Sequence, residues 1–291
     1  MGTSQSSNGS PSGVPMVPPW VPDLPLPEAP SGGPGQEADS TDSESGEPGT
    51  PQAPATVPET RQPVPIAPAR RFLGANRNIG DFSRTGDRAA MHRGLGQYVK
   101  KGYGGSSTAT RRMGGTAQTA EGLYAALSGG QTTSQPSQGN PLDPALSIGR
   151  TAEEVMDALV EAVRPVDGTQ DAEASRTSIK DALADVLNQY PEADLLNLQQ
   201  AQRDLAIERF VAADVFRRID LDIGRTIRDK APNAMIGLGR LKEVREYVRE
   251  AVSAAFRKLH GAGQTLAAGR ITQIVQSAIR ETFQVFEAYA E

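Results

Sequence analysis

The residues that most often carry enzyme chemistry are scarce in this chain. It contains no cysteine, which excludes a disulfide framework, a thiolate zinc site, an iron–sulfur cluster and a cysteine nucleophile. Of its two histidines, His92 lies among arginines and His260 ends a helical pattern, where a cation complements the helix dipole. Asp220, Asp222 and Asp229 are close in sequence, but Asp220 and Asp222 do not share a helix face and no Glu-x-x-His motif accompanies them, so we interpret all three as solvated charges. We therefore expect no catalytic residue, no metal site and no cofactor, in a protein that is not an enzyme.

Charge is divided unevenly along the chain, although the net charge is only -5. Residues 1–68 hold eight acidic side chains and one basic one, residues 69–120 hold ten basic and two acidic ones, and residues 121–291 are acidic overall. A concentrated positive field attracts an oppositely charged surface. The sequence therefore predicts a basic interaction patch of eight cations: Arg70, Arg71, Arg77, Arg84, Arg88, Arg93, Lys100 and Lys101.

The partner of this patch is open between two classes. Phe72, Phe82, Tyr98 and Tyr103 are interleaved with the cations, and arginine beside aromatic rings suits phosphate contacts and base stacking, so nucleic acid is one candidate. No RNP, KH, zinc-finger or Walker pattern accompanies these residues. The arginines suit an acidic protein surface equally well, or the acidic helices of the chain itself.

The first 68 residues contain 16 of the 22 prolines and little apolar surface, which predicts a disordered tail. Within it, Val14–Pro27 is apolar and repeats P-x-x-P spacings around its tryptophan, a pattern that favours polyproline II. One interpretation is a stiff linker. The other is a docking peptide in which Pro18, Pro19, Trp20 and Pro22 bind a partner.

Helical periodicity dominates the rest of the chain. Thr151-Ala-Glu-Glu154 is a capping box at the start of an amphipathic pattern, and short helices are predicted at Asp87–Tyr98 and Thr116–Leu127. Apolar residues recur every four positions from Ile207 to Ile227, which predicts a long helix over residues 191–224 with a break near 197–202. Two further amphipathic patterns follow it, and strand signals are nearly absent.

The predicted fold class is therefore mainly α. We expect an all-helical bundle at residues 146–291, preceded by a Gly/Arg-rich, partly helical interaction segment at 69–145 and by the Pro-rich tail at 1–68. No apolar run approaches the roughly 18 to 20 residues that span a bilayer, so a protein without a membrane segment is expected.

Four stretches of the chain resemble a known family: Met1-Gly-Thr-Ser4, the apolar segment Gly13–Pro22, the basic segment Arg71–Gly105 and the helical segment Asp204–Asp229. Together they resemble the QatB family of the four-component Qat anti-phage defence systems. The resemblance implies a bacterial cytoplasmic protein that acts beside an ATPase, a QueC-like enzyme of deazaguanine chemistry and a TatD-like nuclease. It implies no active site in this chain.

The resemblance gives the N-terminal residues a chemical role. Small residues after Met1 favour its removal, which leaves Gly2 with a free α-amine whose usual pKa is about 8. A QueC-like partner belongs to a class of enzymes that uses ATP to activate a carboxylate for attack by nitrogen, so Gly2 is a candidate modification site. Two alternatives are N-myristoylation, whose motif Gly2 and Ser6 satisfy but which is not expected in bacteria, and an unmodified end.

Two classes of function follow. In the first, the protein is an adaptor whose N terminus is modified by the QueC-like partner while the basic block and the helices hold the ATPase. In the second, it is a nucleic-acid-binding effector that recruits the TatD-like nuclease through its basic segment. The sequence does not indicate an oligomeric state.

Overall fold

The computed structural model describes residues 15–17, 21, 66–128 and 151–290, and these residues form ten α-helices. The helices are α1 Leu73–Thr85, α2 Arg88–Gln97, α3 Ser106–Arg112, α4 Gly114–Leu127, α5 Ala152–Val163, α6 Gln170–Gln189, α7 Gln200–Ile219, α8 Arg225–Lys230, α9 Ala234–Gly261 and α10 Ile271–Glu287. Two π-helical segments, Tyr98–Gly102 and Asp220–Gly224, continue α2 and α7. The mainly α fold class is confirmed.

Side-chain caps explain where several helices begin. The Thr151 hydroxyl accepts a hydrogen bond from the Glu154 backbone and the Glu154 carboxylate accepts one from the Thr151 backbone, so the predicted capping box at the start of α5 is confirmed. Asp87 caps α2, because its side-chain carboxylate accepts hydrogen bonds from the backbone amides of Ala89 and Ala90. Such caps satisfy amides that have no partner within the helix.

The long helix predicted over residues 191–224 begins later than predicted and continues past its predicted end. Residues 190–199 form turns, so α7 begins at Gln200, within the predicted break. At the other end Gly224 does not stop the helix, because the π-helical segment leads directly into α8, which ends before Pro232. The apolar residues that recur every four positions from Ile207 to Ile227 are all buried.

Helix α1 has no counterpart in the sequence prediction. Its two glycines, Gly74 and Gly80, have low helix propensity, which conceals the pattern. Burial of Ala75, Ile79 and Phe82 on one face supplies the stability that propensity does not. The basic segment is therefore more helical than its composition indicates.

The basic segment and the C-terminal helices share one hydrophobic core. Phe72, Phe82 and Tyr98 from the first belong to the same buried cluster as Phe210 and Phe286 from the second. Helix α10 packs against α2, α3, α4 and α9, and α1 packs against α8. The predicted boundary at residues 145 and 146 lies outside the described residues, and the change in composition there does not separate two cores in the described part of the chain.

The N-terminal tail falls mostly outside the described residues, but residues 15–17 and 21 differ from an unpacked chain. Met16, Val17 and Val21 are buried, and Pro15 forms an isolated antiparallel bridge with Ile66. This short stretch therefore packs on the protein.

Helix α2 approaches the end of the chain very closely at Gly96. A Cβ at this position would lie 2.6 Å from the backbone nitrogen of Ala290 and 2.8 Å from the carbonyl oxygen of Phe286. The side-chain amide of Gln97 donates a hydrogen bond to the Ala290 carbonyl at 2.9 Å across the same contact. Only a residue without a Cβ permits this approach.

Replacing Gly96 with alanine should lower the free energy of unfolding by about 1–3 kcal/mol, because the new methyl group meets backbone atoms that cannot rotate away. Gly239→Ala is the matched control, since Gly239 is also inside a helix, α9, and nothing lies within 4 Å of its added Cβ. Helix propensity alone makes that control neutral or stabilising by up to about 1 kcal/mol. Urea denaturation followed by circular dichroism measures both, and equal effects would contradict the close approach.

Candidate functional site

The eight cations of the predicted patch differ in their surroundings. Three exposed arginines face acidic neighbours: Arg84 pairs with Asp81, Arg88 with Glu243 at 3.7 Å, and Arg93 with Asp87 at 3.5 Å. The other exposed cations make no ion pair with the described residues; they are Arg70, Arg77, Lys100 and Lys101. The positive surface available to a partner is therefore smaller than the sequence indicates.

Arg71 is half-buried and faces aromatic rings. Its guanidinium carbon lies 4.7 Å from the ring centroid of Phe72 and 5.2 Å from that of Tyr103, so the charge is held by cation–π contacts. Its Nε and Nη1 atoms are buried and have no hydrogen-bond partner among the described residues. Arg71 therefore helps to hold the start of α1 against Tyr103.

The four aromatic residues proposed to stack on bases are not accessible. Phe72, Phe82, Tyr98 and Tyr103 are all buried, and Phe72 stacks on Tyr98 with ring centroids 5.4 Å apart. A base stacks only on an exposed ring face. The interpretation of these residues as a stacking platform is therefore wrong, because they form part of the hydrophobic core.

Asp222 is not the solvated charge that its sequence position indicates. The hydroxyls of Tyr98 and Tyr103 both donate to its Oδ2 atom, at 2.9 and 2.7 Å. Burial, followed by the charge of Asp222, raises the pKa of both tyrosines well above the usual value of about 10, so both hydroxyls keep the protons that they donate. Asp222 thus joins the two π-helical regions of the fold.

Two further aspartates bind the same part of the chain. Arg112 donates to Asp171 at 3.0 Å, and Arg218 pairs with the same carboxylate. Burial opposes ionisation of Asp171, but the guanidinium groups of Arg218 and Arg112 outweigh it and hold its pKa below the usual value. Asp214, which is fully buried, accepts from Thr116 Oγ1 at 2.5 Å and from Ser175 Oγ at 2.8 Å.

Asp171, Asp214 and Asp222 form what we call the aspartate seam. Each lies on a helix after residue 151 and accepts hydrogen bonds from the segment 98–116. The sequence does not reveal the seam, because the partners in it are between 59 and 124 residues apart. The excess of acidic residues in the C-terminal block was the available signal, and it favours docking of the basic segment on the acidic helices of the chain itself.

The N-terminal peptide, of which the structure describes residues 15–17 and 21, lies against Gly104, two residues before α3 begins. The sulfur of Met16 lies 3.4 Å from the position that a Cβ of Gly104 would occupy, and Gly104 has a positive φ of 74°. The predicted modification site Gly2 and the predicted docking residues Pro18, Pro19, Trp20 and Pro22 lie outside the described residues. Their neighbours Met16 and Val21 are buried on the folded body.

The two histidines differ in their surroundings, His92 being half-buried and His260 exposed. His92 lies between the rings of Tyr247 and Tyr289, at centroid distances of 4.5 and 4.8 Å. Burial and then the charge of Arg88 lower the pKa of His92, and Asp87 opposes this shift. His260 is exposed in the last turn of α9, as its sequence position predicts.

The described residues contain no group of three or more His, Cys, Asp or Glu side chains placed to hold a metal ion. None of their helices is long and apolar enough to cross a membrane.

A family profile described as the Qat anti-phage system associated protein QatB matches residues 104–286, which is more than half of the chain. The chain belongs to the QatB family. No curated protein and no solved structure matches it significantly. The resemblance noted in the sequence is thereby confirmed at the level of the family.

The QatB match covers the three aspartates of the seam together with Arg112 and Thr116. The eight patch cations and the N-terminal tip all precede residue 104 and lie outside it. The QatB match therefore covers the helical body together with the part of the basic segment from residue 104 onward.

Replacing Asp222 with alanine should lower the free energy of unfolding by about 2–3 kcal/mol, because two buried tyrosine hydroxyls lose their charged acceptor. Asp229→Ala is the matched control: Asp229 is nearby in sequence, exposed, and pairs with Arg225 at 3.1 Å on the surface. Exposed pairs contribute about 0–1 kcal/mol. Chemical denaturation compares the two, and a loss for Asp222→Ala no larger than that of the control would show that the seam does not stabilise the fold.

Proposed function

We propose that this QatB-family chain is a non-catalytic adaptor of a bacterial Qat anti-phage system, located in the cytoplasm. Its folded body engages the ATPase of the system, and its N-terminal residue Gly2 is the modification substrate of the QueC-like enzyme. The observation that carries the proposal is the packing of Met16 against Gly104, which ties the N-terminal peptide to the body only 14 residues after Gly2.

Several features of the body support an adaptor. The basic segment uses Arg112 and the hydroxyls of Tyr98 and Tyr103 to bind the chain's own aspartates. Its aromatic rings are buried in the core. Membership of the QatB family places the chain among the associated proteins of a multi-component system, in which partner proteins are implied.

The proposed chemistry at Gly2 uses the amine freed by removal of Met1. The amine nitrogen attacks the carbonyl carbon of a nucleobase-like carboxylate that the QueC-like enzyme has activated with ATP. An amide bond forms, the activating group leaves, and the nitrogen releases a proton. A glycine amine suits the reaction because it is unhindered and has a pKa of about 8, so that part of it is neutral at cellular pH.

Intact mass of the protein, co-expressed with all of its partners and without the QueC-like enzyme, tests this proposal. We expect an added mass only when the enzyme is present. Gly2→Pro should abolish the addition, because it replaces the primary amine with a hindered secondary one, and Gly2→Ala should retain it at a lower rate. Neither variant changes a described contact. An unmodified N terminus in the complete system would overturn the proposal.

A second function, nucleic-acid binding that recruits the TatD-like nuclease, is favoured by one observation. Arg70 and Arg77 flank the start of α1, while Lys100 and Lys101 lie in the π-helical segment beside it, and a Cβ at Gly102 would meet the ring of Phe72 at 2.5 Å. Exposed cations that make no ion pair with the described residues therefore border the same junction.

Changing Lys100 and Lys101 to glutamine distinguishes the two functions. If nucleic acid binds here, affinity for DNA or RNA at low salt should fall severalfold and the salt dependence should weaken, because about two phosphate contacts are lost. Arg257→Gln with Lys258→Gln is the control, since both residues are exposed but already paired with Glu250 and Glu281. Absence of binding by the unchanged protein, or equal effects of both double variants, would exclude this second function.

A further inference from the structure

The N-terminal peptide contacts two parts of the body that are far apart in sequence. Pro15 pairs with Ile66 in an isolated antiparallel bridge, and Met16 lies against Gly104. The side chains of Met16, Val17 and Val21 are only 6%, 7% and 8% exposed. Three apolar side chains buried along one short stretch are typical of a docked peptide, because an unpacked stretch leaves them in water.

Ile66, the partner of Pro15 in the bridge, belongs to a segment that is fixed to the helical body. Ile66 is followed by Ala67, which is 2% exposed, and then by Phe72 at the entrance to α1, which belongs to the main core. A bridge to Ile66 therefore attaches the peptide to the folded protein. It also closes the chain between Pro15 and Ile66 into a loop.

We propose that residues 15–17 and 21 are an intramolecular clip, whose binding partner is the surface formed by Ile66 and Gly104 of the same chain. The clip leaves only residues 1–14 as the tether of Gly2. Residues 22–65 connect the two sides of the clip, so their number does not enter the distance from Gly2 to the body. The clip stands on the contacts of Pro15 and Met16, and only its effect on Gly2 rests on the proposed function.

The clip changes the reach of Gly2 severalfold. From Pro15, the tether extends at most about 45 Å, whereas from Ile66 an unclipped tail extends about 220 Å. For a tail that is as flexible as its composition predicts, effective concentration falls roughly as the 3/2 power of tether length. Release of the clip should therefore slow the reaction between Gly2 and a partner enzyme that is bound to the body by about tenfold.

Disulfide trapping tests the clip directly, because the chain has no cysteine of its own. Residues directly opposite in an antiparallel pair have Cβ atoms about 4.5–5.5 Å apart, so Pro15→Cys with Ile66→Cys should oxidise readily. Pro15→Cys with Leu73→Cys is the matched control, since Leu73 is 63% exposed, close in sequence to Ile66 and not opposite Pro15. Intact mass shows the loss of two hydrogens and peptide mapping shows the linkage. Equal oxidation rates of the two pairs would overturn the clip.

A second experiment measures the effect of the clip on the tether. Met16→Asp places a charge in the buried contact and should slow modification of Gly2 by the QueC-like enzyme about tenfold. Deletion of residues 30–55 should leave the rate of the clipped protein nearly unchanged but raise the rate of Met16→Asp about twofold, because it shortens the released tether from about 64 to about 38 residues. A large effect of the deletion in the clipped protein would contradict the closed loop.

The two experiments separate failure of the clip from failure of the proposed function. Trapping of the Pro15 and Ile66 pair without any modification of Gly2 supports the clip and removes the function assigned to Gly2. Modification of Gly2 with equal oxidation of both cysteine pairs supports that function and removes the clip.

Discussion

The fold depends on the aspartate seam, in which the buried Asp214 and the half-buried Asp171 and Asp222 accept hydrogen bonds from one continuous segment of the basic block. A charge removed from water is tolerated only where donors meet it at hydrogen-bonding distance. Asp222 requires Tyr98 and Tyr103 together, and Asp171 requires Arg112. A shift of the segment by one position would leave several of these groups unpaired, so the seam fixes the register in which the two parts of the core assemble.

Contacts between the basic segment and acidic helices, inside the seam and beyond it, account for part of the uneven distribution of charge along the chain. Arg112 pairs with Asp171, Arg88 faces Glu243, and the backbone amide of Ser106 donates to Glu287 at 2.9 Å. Part of the positive block is thus complementary to the acidic helices on which it packs. This arrangement supports the proposed adaptor, because part of its basic segment packs within its own fold.

Local patterns predicted much of the helical framework, and they failed where distant partners decide the outcome. The Thr151 capping box and the apolar row of α7 are encoded within a few turns, so the sequence alone reveals them. Helix α1 depends on burial of Ile79 and Phe82 against other helices, which its glycine-rich sequence does not show. Asp222 was misassigned for the same reason, since its donors lie more than a hundred residues away.

The π-helical segment Asp220–Gly224 keeps a long hydrophobic row in phase. In an ideal α-helix of 3.6 residues per turn, every fourth residue advances by about 40° around the axis, so a strict four-residue row leaves the core within a few turns. The row from Ile207 to Ile227 nevertheless stays buried along its length. A π-helical turn contains an additional residue and rotates the following positions backwards, which returns Ile223 and Ile227 towards the core. The extra residue thus keeps one helical face on the core, because a regular α-helix of the same sequence would turn Ile227 outward. Losing a single amino acid there would remove the π-helical turn and still leave Ile227 facing the core.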